Sequence, residues 1–147
     1  MPDRYWEGFT IGDTVDSRGI TITEAHLVTW AGLTLDFYPL HMDAEYAAGT
    51  QFGRRIAHGP LTFAIAVGLM DRTGWAGDAA VAWLGVDNMR LPRPVFIGDT
   101  IRLHAEVTEL AETKNPKQGF CKMLYTVLNQ DDAEVMRFDM NFLMHRN

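Results

Sequence analysis

One run near the middle of the chain constrains the fold more than any other feature. Residues 60–70, PLTFAIAVGLM, contain no charged side chain and are apolar on every side of a helix. A helix that is apolar all round must be buried. Pro60 suits its first turn, because the N–H that proline lacks would have no partner there. We therefore expect a central helix that the rest of the fold covers.

The second half of the chain has the two-residue period of β-strands. Apolar and polar residues alternate from 101 to 108, which is typical of a strand with one buried face. Segments 120–128 and 135–144 are two further predicted strands, joined by a turn at 129–132. Segment 81–91 is apolar on both faces over much of its length, as in a strand covered on two sides. We predict an α+β fold, with a curved antiparallel sheet around the apolar helix.

The first half is predicted to begin with a strand over 15–22 and to continue as a helix. Thr23 is the predicted N-cap, because its hydroxyl can accept from free N–H groups of the first turn. The helix is expected to end near Leu35. Its apolar face is predicted from the helical spacing of Ala25, Val28, Ala31 and Gly32.

Composition indicates one globular domain over residues 1–147. Hydrophobic residues make up 47% of the chain and charged residues 22%, close to the average for globular proteins. A net charge of −6 gives no general attraction to phosphate backbones, so no nucleic-acid partner is expected. One cysteine with scattered histidines forms neither a disulfide nor a zinc cage, and no metal is expected.

The chain carries no predicted targeting or membrane segment. Its first residues, MPDRYWE, are charged where a signal peptide is apolar. No apolar stretch is long enough to cross a bilayer. We therefore expect a cytoplasmic protein with no membrane partner.

Residues 36–41 are predicted to form a loop that carries two groups able to move protons. Pro39 keeps this segment out of a helix interior. If the loop turns back on itself, Asp36 and His41 face each other and can hold one water molecule between them. Spacing alone favours a plainer interpretation, in which Asp36 caps the loop and His41 packs beneath it.

A candidate oxyanion hole lies at the start of the apolar helix. The first N–H groups of a helix have no partner within it, and that end of the helix is positive. Gly59 would let a ligand oxygen approach its amide, either alone or together with that of Leu61, whereas Pro60 has no N–H. An ordinary capping glycine is the alternative.

One combined motif runs through both segments. Its matching positions are Asp36, Pro39, Leu40, His41, Asp43, Ala47, Ala48, Phe52, Ile56, Ala57, His58, Gly59 and Leu61. This pattern resembles that of the MaoC-like dehydratase family, the (R)-specific enoyl-CoA hydratases of the hotdog fold. The family motif reads Asp-x-Asn-Pro-(Ile/Leu)-His-x-Asp, then a short Ala-rich helix, a Phe and (Ile/Val)-(Ala/Val)-His-Gly-(Met/Pro)-Leu. The resemblance is dense from 35 to 61, and it implies a hotdog fold.

The resemblance also implies roles for the site residues. It makes Asp36 and His41 a catalytic dyad that orients and activates a water molecule, against the plainer interpretation. It makes the Gly59 amide the donor that polarises a thioester carbonyl. Tyr38 and His58 are assigned to the substrate-binding region, His58 chiefly as a packing residue.

Three further positions complete the comparison with the family. Asp43 matches the motif and is interpreted as the cap of a short helix that extends through Ala48. Tyr38 stands where many of these hydratases have Asn, which bears on the choice of substrate rather than on the reaction. Val67 stands where some of them have a hydroxyl residue.

The expected activity is hydration of a 2-enoyl thioester, or the reverse dehydration of a 3-hydroxyacyl thioester, in fatty acid metabolism. The thioester would be carried on CoA or on acyl-carrier protein, with CoA as part of the substrate and no separate cofactor. The alternatives are a hotdog acyl-CoA thioesterase and a non-catalytic acyl-CoA-binding module. A homodimer or a larger assembly of dimers is expected, because 81–91 and 120–128 carry more apolar surface than one helix covers.

Overall fold

The chain places its helices mainly in the first half and its long strands in the second. The computed structural model describes residues 4–147, so the signal-peptide prediction lies in part outside the described residues. The helices are α1 (Glu24–Thr34), α2 (Pro39–Met42), α3 (Ala44–Ala48) and α4 (Gly59–Asp71). The strands are β1 (Thr14–Asp16), β2 (Ile20–Thr21), β3 (Ala80–Arg90), β4 (Thr100–Glu112), β5 (Gln118–Leu128) and β6 (Glu134–His145). Within residues 4–147, no helix is long and apolar enough to span a bilayer.

The strands form one antiparallel sheet. Its order is β1-β4-β5-β6-β3, and β2 pairs with β4 beside this path. Along β4 the buried residues are Ile101, Leu103, Ala105 and Val107. The alternation predicted from the sequence over 101–108 is therefore confirmed.

Helix α4 forms the helical layer of the core. It begins at Gly59, one residue before the predicted apolar run. Its buried residues are Leu61, Thr62, Ala66, Leu69 and Met70. The ring of Phe63 meets Phe138 of β6 edge-on, with ring centroids 5.0 Å apart. Each large apolar side chain buried in this way stabilises the fold by about 1.5–3 kcal/mol. The predicted α+β hotdog architecture is confirmed.

The expectation that 81–91 is covered on both faces is wrong for a single copy of the chain. Trp83 and Leu84 of β3 are 57% and 52% exposed, and Val67 of α4 is also exposed. The reason is the position of β3, which is the last strand of the sheet. The apolar side chains predicted in this segment are present, but no other part of residues 4–147 fully covers them.

Two elements before α3 differ from their predictions. The strand predicted over 15–22 divides into β1 and β2, because the Ser17 hydroxyl accepts the Leu103 N–H at 2.9 Å in place of a backbone carbonyl. The segment predicted as a loop over 36–41 contains the one-turn helix α2, with Pro39 in its first turn. Proline is well tolerated at that position, since no helical hydrogen bond is lost.

Helix α1 follows Thr23 as predicted, but it packs through another face. Its buried residues are Leu27 and Ala31. The predicted face included Ala25, Val28 and Gly32, which are exposed. Leu27 carries more apolar surface than Ala25 or Gly32, so the helix turns that side chain towards the core.

Gly119 at the start of β5 is predicted to be required by the close approach of Trp6. The indole N–H donates to the Phe120 carbonyl at 2.8 Å, and a Cβ on Gly119 would overlap the indole ring. Gly119→Ala should therefore lower the free energy of unfolding by about 1–3 kcal/mol. The matched control is Gly32→Ala in α1, where a Cβ meets nothing within 4 Å and should stabilise by about 0.5–1 kcal/mol. Urea unfolding measures both, and equal stabilities would contradict the prediction.

Candidate active site

The turn after α1 brings Asp36 back towards α2. Leu35 ends α1 in the left-handed region, with φ 67°. The Asp36 carboxylate then accepts the Tyr38 N–H at 3.3 Å, which is the local turn that Asp side chains favour. This hydrogen bond holds the Asp36 side chain towards the start of α2.

Asp36, His41 and His58 converge in space. A carboxylate oxygen of Asp36 and one ring nitrogen from each histidine all lie within 4.8 Å of one another. The Nδ1–H of His41 donates to the Ile56 carbonyl at 2.8 Å. That hydrogen bond leaves the His41 Nε2 lone pair free to accept a proton. The two residues predicted to act on one water are thus close enough to share it.

His58 lies beneath this pair. Its side chain is fully buried, and its Nε2–H donates to the Asp36 backbone carbonyl at 3.0 Å. Its ring stacks on that of His41, with centroids 4.0 Å apart and planes at 28°. Burial lowers the pKa of His58, while its hydrogen bond to the Asp36 carbonyl acts in the opposite direction. The first effect is the larger, so the ring is neutral near pH 7.

These three residues are poorly arranged as metal ligands. The lone pairs of an imidazole lie in the plane of its ring, and two stacked rings direct them side by side. The Nε2 of His58 is also engaged with a carbonyl. The group therefore suits proton transfer better than coordination.

An apolar cleft of about 260 Å³ opens in front of His41 and Gly59. It is lined by His41, Phe52, Ile56, Ala57, Gly59, Thr62, Leu91, Pro92, Arg93, Pro94, Val95 and Val135. A larger cavity of about 420 Å³, lined by Arg18 and Arg72, lies near the other end of α4 and contains none of the motif residues. The smaller cleft is the candidate active site, because its wall includes His41 and Gly59. Asp36 is not among the lining residues, and it lies next to the cleft through its closeness to His41.

Gly59 is the first residue of α4 and forms part of the cleft wall. The amide of a first helical residue has no partner within the helix and can donate to a ligand. A Cβ on Gly59 would lie 2.9 Å from Cδ2 of Leu91. Glycine therefore keeps the approach to the helix N-terminus open.

Tyr38 lies beside the site but does not line the cleft. It is 52% exposed, and its ring stands edge-on to His41 with centroids 6.0 Å apart. Its hydroxyl lies 3.4 Å from that of Tyr46, and this interaction raises the pKa of Tyr46. The predicted substrate contact of Tyr38 is therefore at the rim, and His58 is behind the wall rather than on it.

Several lining residues were not singled out from the sequence. Thr62 is the one hydroxyl residue of the apolar run, and this could have marked it in the sequence as a candidate lining residue. Leu91 and Val95 enter the cleft from the segment between β3 and β4. Their placement depends on how the sheet folds over α4, and no local pattern reveals it.

Comparison with known proteins agrees with this geometry. Residues 8–127 match the MaoC-like domain family. The chain is 36% identical over 100 residues to protein MaoC of Klebsiella aerogenes, a match that covers 68% of this chain and 29% of that protein. It is 31% identical over 134 residues to an (R)-specific enoyl-CoA hydratase of Rhodospirillum rubrum, which covers 90% of each chain.

Solved structures show the same fold. A monoamine oxidase regulatory protein from Archaeoglobus fulgidus superposes with a TM-score of 0.93 at 36% identity, covering 98% of this chain and 95% of that one. A conserved hypothetical protein of Mycobacterium tuberculosis with a double hotdog fold superposes with a TM-score of 0.84 at 21% identity, covering 98% and 44%. The second likeness concerns the fold alone.

The buried His58 predicts a pH dependence of stability. Its pKa is lowered in the folded state by burial, whereas in the unfolded chain a histidine titrates near 6.5. As pH falls below about 6.5, the unfolded state binds more protons and the fold loses stability. Urea unfolding at about pH 7.5 and about pH 5.5 should show a larger loss for the wild type than for His58→Gln. An equal loss in both proteins would contradict the assignment.

Proposed function

The chain belongs to the MaoC-like domain family, and on that footing we propose that it adds water to a 2-enoyl-CoA or removes water from a 3-hydroxyacyl-CoA. The observation that carries the proposal is the closeness of Asp36 to His41, together with the cleft that His41 and Gly59 line. The hydratase of Rhodospirillum rubrum supports the same reaction class.

The proposed reaction uses the Asp36–His41 pair on one water molecule. The pair holds the water and removes one of its protons while the oxygen forms a bond to C3 of the double bond. C2 then receives one proton from the pair, so that the net addition is one water. The Ile56 carbonyl fixes the Nδ1–H tautomer of His41 and leaves Nε2 to exchange the proton.

The amide of Gly59 stabilises the negative charge that develops on the thioester oxygen. Attack at C3 gives the thioester oxygen enolate character before C2 is protonated. A free amide at a helix N-terminus stabilises that oxygen both by a hydrogen bond and by the positive end of the dipole. The apolar lining of the cleft strengthens this interaction, because it lowers the local dielectric.

Asp36→Asn and His41→Ala are each predicted to lower the hydration rate by about 10²–10⁴-fold. Asn keeps the shape of Asp but cannot take a proton. The double variant should be barely slower than either single variant, because the two residues act as one unit. Loss of the conjugated double-bond absorbance of crotonyl-CoA and longer enoyl-CoA substrates measures the rate.

Asp43→Asn is the matched control for these variants. It makes the same chemical change in the same segment, but Asp43 caps α3 by accepting the Tyr46 N–H at 2.9 Å, and Asn caps equally well. Its rate should stay near that of the wild type. A near-normal rate for Asp36→Asn would refute the dyad, and release of free CoA without hydration would establish a thioesterase instead.

We also propose that two copies of the chain associate through β3. This strand is 11 residues long, lies at the end of the sheet and has no neighbour on its outer side within residues 4–147. Long uncovered edge strands readily pair with another chain. Trp83 and Leu84 of β3 are exposed, as is Val67 of α4, which lies one helical turn after Phe63, whose ring centroid is 6.1 Å from that of Trp83. A second copy paired with β3 would bury Trp83 and Leu84.

Trp83→Glu is predicted to convert the dimer to a monomer. A charge at this position would have to be buried in the association, which is costly without a partner. Ile11→Glu is the control, because Ile11 is 61% exposed and lies far from β3 in the sheet order. Light scattering at micromolar concentration should give a dimer for the wild type and for Ile11→Glu. A wild-type monomer with full activity would exclude the proposed association.

A further inference from the structure

His58 lies behind the cleft wall and contacts both members of the proposed dyad. Its Nε2–H is bonded to the Asp36 carbonyl, 22 positions away in the sequence, and its ring faces that of His41. It is fully buried and does not line the cleft. Its full burial keeps it from the substrate, and its contacts are with the two residues of the proposed dyad.

The hydrogen bond to Asp36 anchors a strained turn. Leu35, the preceding residue, has φ 67°, a conformation that non-glycine residues keep only where the surroundings enforce it. The Asp36 side chain is restrained by a long hydrogen bond of 3.3 Å from the Tyr38 N–H. The shorter bond from His58 fixes the backbone of Asp36 to the start of α4, and so fixes the point from which its carboxylate projects.

The stacking contact determines the plane of the His41 ring. The His41 Nδ1–H bond to Ile56 fixes one point of that ring, and the face of His58 at 4.0 Å prevents it from tilting. Together the two contacts hold the His41 ring with a nitrogen within 4.8 Å of an Asp36 carboxylate oxygen. Because Nδ1 is bonded to Ile56, Nε2 is the nitrogen left to exchange a proton.

The Nδ1 atom of His58 shows which form of the ring is required. It is buried and has no hydrogen-bond partner within residues 4–147. A second proton, on that atom, would create a buried charge directly against the ring of His41. Burial disfavours this charge more strongly than the nearby Asp36 carboxylate favours it. A neutral ring with its proton on Nε2 satisfies the carbonyl of Asp36 and leaves His41 free to become charged.

We propose that His58 is a positioning residue of this site: as a neutral Nε2–H imidazole it holds the Asp36 backbone and supports the His41 ring, so that both face one water. This inference rests on the proposed hydratase function for its kinetic consequence. Its structural content, the tautomer and the two contacts, is independent of that function.

The first experiment measures the tautomer of His58 in the uniformly ¹⁵N-labelled wild-type protein. Long-range ¹H–¹⁵N correlation spectra distinguish Nε2–H from Nδ1–H and from the doubly protonated ring, and the His58→Gln spectrum assigns the signal. We expect a neutral Nε2–H ring from about pH 7 to about pH 8, because burial lowers the pKa of His58 below that of an ordinary histidine. An Nδ1–H ring, or a ring that is protonated in this range, would overturn the proposal whether or not the protein hydrates enoyl-CoA.

The second experiment separates the hydrogen bond from the stacking contact. His58→Gln places an amide N–H near the position of Nε2 but has no ring, and His58→Phe keeps a ring but has no donor. If the bond to Asp36 positions the dyad, His58→Phe should lower kcat by about 10²-fold with little change in KM, as displacement of a catalytic group does. His58→Gln should recover about tenfold of that loss.

Circular dichroism and thermal unfolding check that each variant is folded. A folded His58→Phe with the kcat of the wild type, or equal losses in both variants, would refute the positioning role of the hydrogen bond. If His58→Phe does not fold, the loss of kcat in His58→Gln is the remaining test. A loss beyond about 10²-fold in that variant would count against the proposal. If the wild type hydrates no enoyl-CoA, the proposed function fails and the NMR result still decides the role of His58.

Discussion

Packing of α4 against the sheet is the contact on which the whole site depends. Leu61 and Thr62 in its first turn are buried, so the residues just before them cannot move independently. The Ala57 N–H donates to the Val95 carbonyl at 2.7 Å, and Ile56 forms a single bridge with Phe96. The segment that enters α4 is thereby fixed to the far wall of the cleft, and the Ile56 carbonyl becomes a rigid acceptor for His41.

The site uses backbone groups that helix ends leave unpaired. The Gly59 amide is free because it begins α4, and the Asp36 carbonyl lies just beyond the end of α1, where it accepts from His58. The fold therefore supplies a donor for the substrate and an anchor for Asp36 at no cost to its secondary structure. A site on the open face of a strand would have to take such groups out of the ladder.

Local patterns predicted the elements and the motif, but not the contacts between them. The alternation along β4 follows from a period of two. The spacing of Asp36 and His41 alone favoured a capping residue and a packing residue, and only the family resemblance predicted that the two side chains act together. The bond between His58 and Asp36 joins two segments 22 residues apart, and only the tertiary fold brings them together. The prediction of the buried face of α1 was wrong. Helical spacing alone does not show whether Leu27 or Val28 lies against α4 and the sheet.

The uncovered edge and the cleft are parts of one surface. Leu91 follows the last residue of β3, is half-exposed, and lines the cleft beside Gly59. A chain that pairs with β3 must therefore reach the rim of the cleft at Leu91. Because Leu91 also limits the space in front of the Gly59 amide, association along this edge would alter the room available to a thioester carbonyl. The shape of the cleft is thus determined partly by the core and partly by whatever covers β3.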